Sequence, residues 1–265
     1  MTNKLNIELL FKKKKNKQKI TMVSLNNYIS AKICEEAGID TILVGDSLGM
    51  VFKGEPNTLG VSLEEIIYHA KAVRRGAPNT FVIVDMPFMS YQSSIDEAVK
   101  NCGNVIKQTK ADAVKIEGGS YFAPLIEKLT KIGIPVCAHI GFTPQWINTI
   151  GKFRFMGKTE EEKNIIKEDF NSVAEAGAFM VVLESIPDSL AKELHSESVI
   201  TIGIGAGAST DGQVLVFEDI VGLVDFMKPK FVKRYTNGYK IFLEAIKSYK
   251  KEVEENIFPS EEHIY

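Results

Sequence analysis

The chain has 265 residues, 45% hydrophobic and 25% charged, with a formal net charge of -2. That balance is ordinary for a folded globular protein, and it offers no basic field that would argue for nucleic acid. Three scattered cysteines, Cys34, Cys102 and Cys137, form no CxxC pair, which argues against a zinc ribbon or a disulfide framework and for a reducing cytoplasm; no apolar run approaches the roughly 20 residues of a membrane span.

The N-terminus carries FKKKKNKQK, Phe11 to Lys19. Only the strand-length ITMVSL follows, so the positive run lacks the apolar region of a signal peptide. Residues 1–19 read as a lysine-rich segment, a solvated face leading into the first strand. Short Val/Ile-rich runs then alternate with amphipathic stretches. The runs are Ile20–Leu25, Thr41–Asp46, Phe81–Asp85, Asp112–Glu117, Pro135–Ile140, Phe179–Glu184, Val199–Ile204 and Gln213–Phe217. Most do not alternate polar with apolar, which is how parallel strands covered on both faces read. The helical stretches are Ile29–Gly38, Ser62–Arg74, Ile95–Thr109, Tyr121–Ile132 and Glu160–Ala176, followed by Glu218–Met227 and Asn237–Asn256. Ser62 with Glu65 three residues on makes a capping box.

Eight strand-helix units in one chain predict a (β/α)8 TIM barrel of a single α/β domain, residues 20–265, completed by C-terminal helices. A doubly wound open sheet is the alternative. Two loops are longer than usual, Ser47–Val61 after the second strand and Gly141–Thr159 after the fifth. Both fall on the C-terminal face of a barrel, where barrel active sites sit.

Ionisable residues collect at the same ends. Asp46, Asp85 and Glu117 end strands two, three and four; His139 lies near the end of strand five and Glu184 ends strand six. Lys115 is two residues before Glu117, so both side chains point the same way. One acid at a strand tip is commonly a helix cap. Three in one barrel mouth raise each other's pKa unless a cation offsets them. Mg²⁺ takes one or two carboxylates, waters and substrate oxygens. Asp46 and Asp85 therefore read as ligands, with Glu117 a ligand or a holder of bound water. Zinc is disfavoured, because one histidine and no cysteine are near. Glu184 stands apart in sequence and reads as a general base or as a salt-bridged loop acid. GIGAGASTDG, Gly203 to Gly212, lacks the helix spacing of a dinucleotide site and reads as backbone packing tightly or approaching a ligand.

Several long motifs in order, LVGDSLGM, YHAKAVRRGAPN, VDMPFMSY, VKIEGG, PVCAHIGFTPQ, VVLESIP, IGIGAG, TDGQVLV and FPSEEH, resemble the 3-methyl-2-oxobutanoate (ketopantoate) hydroxymethyltransferase family. The resemblance implies a Mg²⁺-binding (β/α)8 barrel that moves a hydroxymethyl group from 5,10-methylenetetrahydrofolate to a 2-oxo acid in pantothenate biosynthesis. It implies Asp46, Asp85 and Glu117 at the metal. It also implies Asp46, Ser47, Asp85, Lys115 and His139 around the substrate, Glu184 as proton acceptor, and a homo-decamer. One stretch departs from the family's TxYD-like motif: SLNNY, Ser24 to Tyr28, has Asn26 for the tyrosine and Asn27 for the acid. Phe142 stands where leucine is common. Two other readings keep the barrel: a Mg²⁺-dependent 2-oxo acid lyase or mutase like phosphoenolpyruvate mutase and isocitrate lyase, and a catalytically impaired binding or assembly protein.

Overall fold

The computed structural model describes residues 4–224 and 229–265. Eight parallel strands close into a barrel in sequence order. They are β1 (Ile20–Ser24), β2 (Thr41–Val44), β3 (Phe81–Asp85), β4 (Ala113–Glu117), β5 (Val136–Gly141), β6 (Met180–Glu184), β7 (Ile200–Ile204) and β8 (Gly212–Val216). β1 meets β8 with Ile20 opposite Gly212 and Ser24 opposite Val216, which closes the ring. The helices preceding and between them are α1 (Ile7–Lys15), α2 (Tyr28–Glu36), α3 (Leu48–Val51), α4 (Leu63–Gly76), α5 (Ile95–Thr109), α6 (Ala123–Lys131), α7 (Ile147–Ile150), α8 (Glu160–Glu175) and α9 (Asp188–Glu193).

Local signals and structure agree along most of this length. Every residue of β2, β3 and β4 is buried, as strands with side chains inside and helices outside must be. The capping box forms: Glu65 N donates to Ser62 Oγ at 3.2 Å, and Ser62 N donates to Glu65 Oε2 at 2.8 Å. The open-sheet alternative is excluded by the closed ring.

The period of two along each strand sets the site. Met22, Leu43, Ile83, Ala113, Cys137, Val182, Ile202 and Val214 form one apolar cluster. Two residues further along four of these strands lie Asp85 after Ile83, Lys115 after Ala113, His139 after Cys137, and Glu184 after Val182. An ionic layer thus stacks on an apolar one, toward the C-terminal mouth.

Two features add to the sequence reading. Lys12–Lys15 form the last turn of a helix, α1, that the sequence reading does not contain, while Lys12, Lys15, Lys17 and Lys19 are exposed, as a solvated face would be. Ile7, Leu10 and Phe11 recur at helical spacing; Leu10 is fully buried in the cluster that holds Ile20 and Phe81. The lysine heads reach acids around it: Lys13 pairs with Asp40, and Lys14 with Asp211 at 2.7 Å. The long aliphatic stems let four lysines coexist with an apolar stripe. The second is between β7 and β8, where residues 205–211, the glycine-rich stretch for which the sequence predicts no helix, cross with no helix, so one of the eight units lacks its helix. Asp211 accepts from Thr201 N at 2.8 Å and from Thr201 Oγ1 at 3.1 Å, tying the crossover down. A Cβ at Gly207 (φ 78°) would lie 2.1 Å from Asp188 Oδ1. Tight packing is therefore what this glycine run provides.

Two compact units make up the chain, Met1–Val216 and Phe217–Tyr265. The second contains α10 (Phe217–Ile220) and α11 (Gly238–Glu254). The expected helix Glu218–Met227 is thus shorter, and the end of that stretch lies outside the described residues. Among the described residues, no helix is long and apolar enough to cross a membrane.

Candidate active site

The strand tips bring Asp46, Asp85 and Glu117 together: each offers an oxygen within 4.8 Å of the others, and all three are buried. Asp46 caps no helix. The N-cap of α3 is Ser47, which makes no side-chain cap bond, and the Asp46 carboxylate accepts instead from Gln145 Nε2 at 2.9 Å. Asp46 N donates to Asp85 Oδ2 at 3.3 Å. Lys115 Nζ stands 2.7 Å from Asp85 Oδ1 and 3.4 Å from Glu117 Oε1, so the side-chain direction expected for Lys115 and Glu117 is the one observed.

His139 links this cluster to Glu184. Its Nδ1 is 3.2 Å from Glu117 Oε1, and its Nε2 is 3.2 Å from Glu184 Oε2. Glu184 therefore sits across the imidazole from the three acids. Ser185 after it holds φ 54°, a left-handed turn that ends the strand at the acid. Ser47 is half-buried at the rim, and its hydroxyl lies 3.4 Å from that of Ser24.

Burial dominates the electrostatics. It drives the Asp46 carboxyl well above its usual range, and the Asp85 and Glu117 charges push the same way. Asp85 is raised by burial too, against the pull of Lys115. At Glu117 burial also pushes upward, but the Lys115 and His139 charges and the hydrogen bonds from His139 and Gln145 outweigh it, holding the group at about 2. Burial would lower Lys115, yet the Asp85, Glu117 and Asp46 carboxylates raise it, so it stays a cation. His139 is pushed down by burial and by Lys115; Glu117 and Glu184 reverse this and carry it up to about 9.

The donor set fits a hard divalent cation. Three buried carboxylates face one lysine and one histidine, and the donors are oxygens with no thiolate. Asp85 Oδ1 accepts no hydrogen bond of good geometry despite the nearby ammonium, so lone pairs remain for an ion.

Two residues of this network were not singled out from sequence. Gln145 is 3% exposed and holds the acids in place. Its backbone N donates to Glu117 Oε2 at 3.0 Å, its Nε2 to Asp46 Oδ2 and Met86 O, each at 2.9 Å. Its Oε1 accepts from Tyr91 OH at 2.8 Å and from Gln92 Nε2 at 3.1 Å. Tyr91 in turn accepts from Glu117 N at 3.2 Å. The available signal was GFTPQ directly after β5. Gly141 (φ 93°), where a Cβ would come within 2.3 Å of Glu184 O, and Pro144 fold that stretch back over the mouth.

The SLNN departure has a local explanation. Asn27 is the N-cap of α2 and accepts from Ser30 N at 2.8 Å, a task that Asn and Asp perform equally. Asn26 is buried, and with its amide turned so that the nitrogen faces the neighbouring carbonyls it donates to Gly45 O at 3.2 Å and Leu25 O at 3.1 Å. Phe142 is buried and meets the Phe153 ring edge-on at 4.8 Å, so the larger side chain is accommodated.

Solved structures share the barrel. Phosphonopyruvate hydrolase, in its complex with oxalate and Mg++, superposes with a TM-score of 0.62 at 11% identity, over 98% of this chain and 92% of that one. Phosphoenolpyruvate phosphomutase from Streptomyces platensis subsp. rosaceus gives 0.62 at 14% identity with the same coverage. Identities this low establish the fold alone. Sequence relatives are much nearer. The 3-methyl-2-oxobutanoate hydroxymethyltransferase of Aquifex aeolicus (strain VF5) is 61% identical over 262 residues, 98% of this chain and 99% of the relative. That of Thermosipho melanesiensis is 54% identical over 252 residues, 95% of each. A family profile described as ketopantoate hydroxymethyltransferase matches residues 4–261. With that match and identities above half across nearly the whole length, the chain belongs to the ketopantoate hydroxymethyltransferase family.

Proposed function

We propose that this chain is a hydroxymethyltransferase that converts 3-methyl-2-oxobutanoate to 2-dehydropantoate, with 5,10-methylenetetrahydrofolate as the one-carbon donor. The observation that carries the reading is the buried Asp46–Asp85–Glu117 cluster with Glu184 facing it across His139. Asp46 and Asp85 would hold Mg²⁺, with Glu117 at the ion or on its water. When bound, the ion supplies Lewis-acid polarisation of the substrate's carbonyl.

The chain's own residues account for the rest. Lys115, kept cationic by three carboxylates, offsets the negative charge of the keto acid. Ser47, at the rim, offers its hydroxyl to the substrate carboxylate. Glu184, which faces the acid cluster across His139, takes the proton from the carbon beside the carbonyl. His139 orients Glu184 on one ring nitrogen and is itself fixed by Glu117 on the other. Both C–N bonds of the donor's methylene bridge must break: opening to the iminium breaks one, and water adding to that carbon breaks the other, which releases tetrahydrofolate and the one-carbon unit as formaldehyde. The carbanion then forms its C–C bond to the formaldehyde carbon, and the resulting alkoxide takes a proton, supplied by the protonated Glu184 or water, to become the hydroxyl.

The family resemblance implies a homo-decamer, and α11 supports association of copies. Tyr239, Phe242, Ile246, Tyr249 and Val253 form an exposed stripe at heptad-like spacing along it. Buried cysteines without a disulfide suit a reducing cytoplasm. The test is product formation. The purified chain with Mg²⁺, keto acid and 5,10-methylenetetrahydrofolate should yield 2-dehydropantoate by NMR, and a chelator should abolish it. Absence of product under saturating substrates refutes the assignment.

A further inference from the structure

The reaction needs the donor's methylene group to reach a carbon lying between the acid cluster and Glu184. One loop runs between those two places. Gln145, near the start of Gly141–Thr159, holds Asp46 and Glu117. Met156, near its end, donates its N to Ser185 O at 2.8 Å, beside Glu184. Phe153 sits against Phe142, whose N donates to Glu184 O at 2.9 Å. The loop is thus tied to both chemical centres.

What it exposes is aromatic and basic. Trp146, Phe153 and Phe155 are 39%, 54% and 39% exposed. Lys152, Arg154 and Lys158 interleave with them, and no acid occurs from Gly141 to Thr159. Arg154 is paired with Glu162 at 2.6 Å, whereas Lys152 and Lys158 make no ion pair among the described residues. Exposed rings grouped on one loop mark a surface that a ligand or partner covers, and flat rings suit stacking on a flat ligand. The surrounding cations select an anionic one.

We infer that the Gly141–Thr159 loop is the binding platform for the one-carbon donor. Trp146, Phe153 and Phe155 stack its aromatic rings, and Lys152 and Lys158 attract its glutamyl carboxylates. This rests on the reading above that the donor is a reduced folate; it adds where the donor binds and predicts that a polyglutamyl form binds more tightly.

Trp146 is the sole tryptophan of the chain, so its fluorescence reports on this loop alone. The full chain is titrated with tetrahydrofolate and with its triglutamate at low salt. Saturable quenching is expected, with the triglutamate binding more tightly. Lys152→Ala/Lys158→Ala should weaken triglutamate binding about two- to fivefold per charge and erase the preference. Added salt should do the same. Phe153→Ala should weaken both ligands by about fivefold or more. Lys128→Ala/Lys131→Ala, an equal loss of two charges on α6, should change neither. An unaltered triglutamate preference in the double variant overturns the inference. So does a silent Trp146 in wild type that still forms product; in that case the hydroxymethyltransferase reading stands and the donor binds elsewhere. Neither quenching nor product sinks both.

Discussion

Gln145 makes the sharpest prediction, because it touches two proposed metal carboxylates by different atoms. Gln145→Leu removes the Nε2 bond to Asp46 but keeps the backbone bond to Glu117 and most of the volume. One hydrogen bond to a charged group contributes about 1.5–3 kcal/mol. Residues that orient metal ligands typically change metal affinity by about 10–100-fold, roughly 1.4–2.8 kcal/mol, so the two estimates agree. Calorimetric titration of the metal-free protein with Mg²⁺, or electron paramagnetic resonance with Mn²⁺, should show a loss in that range. Tyr91 OH keeps its Glu117 partner, so the thermal midpoint should fall by only a few degrees. Affinity within twofold of wild type would show that Asp46 needs no orientation from Gln145, and the proposed ligand geometry would be wrong.

Other expectations concern the scaffold. Glu35 accepts from Asn79 and Thr80, and although burial works to raise its pKa, these hydrogen bonds hold it below the usual value. A carboxyl lowered in the folded state adds stability above its unfolded pKa and loses it as pH falls through the folded one. Glu35→Ala should therefore lower the thermal midpoint by about 2–4 °C at pH 7, as expected for about 1 kcal/mol. The gap to wild type should narrow below about pH 4. Leu10→Ala should cost about 2–5 kcal/mol by denaturant melts, because the cavity opens in the barrel floor; a loss under 1 kcal/mol would deny α1 its place in the core. Asn27→Asp should leave helix stability within about 0.5 kcal/mol and turnover within twofold, since either side chain caps α2. A large gain in turnover would mean that the missing acid had a chemical task.

Much of this was legible in the sequence. Strand tips carrying Asp46, Asp85, Glu117, His139 and Glu184 could be aligned because buried parallel strands announce themselves as apolar runs, and the polar residue that ends a run stands out. Gln145 and Tyr91 could not be ranked the same way. They lie in loops, where no periodicity fixes direction, and their contacts with residues far along the chain exist only once the barrel closes. α1 was hidden for a related reason: charge dominates FKKKK, while Ile7, Leu10 and Phe11 acquire meaning only against the barrel floor. The glycine run between β7 and β8 was legible as tight packing, because glycines crowd where backbone must approach closely, and no helix forms there.

Proton exchange at C3 of 3-methyl-2-oxobutanoate in D₂O, followed by NMR, tests the central claim most directly, because it isolates proton removal from folate chemistry. Wild type with Mg²⁺ should exchange that proton. Asp46→Ala should lose exchange together with metal binding. Glu184→Gln should slow it about 10²–10⁴-fold while Mg²⁺ affinity stays within about twofold. Exchange that persists in Glu184→Gln, or that proceeds at full rate without metal, would contradict the division of labour between the acid cluster and the base across His139.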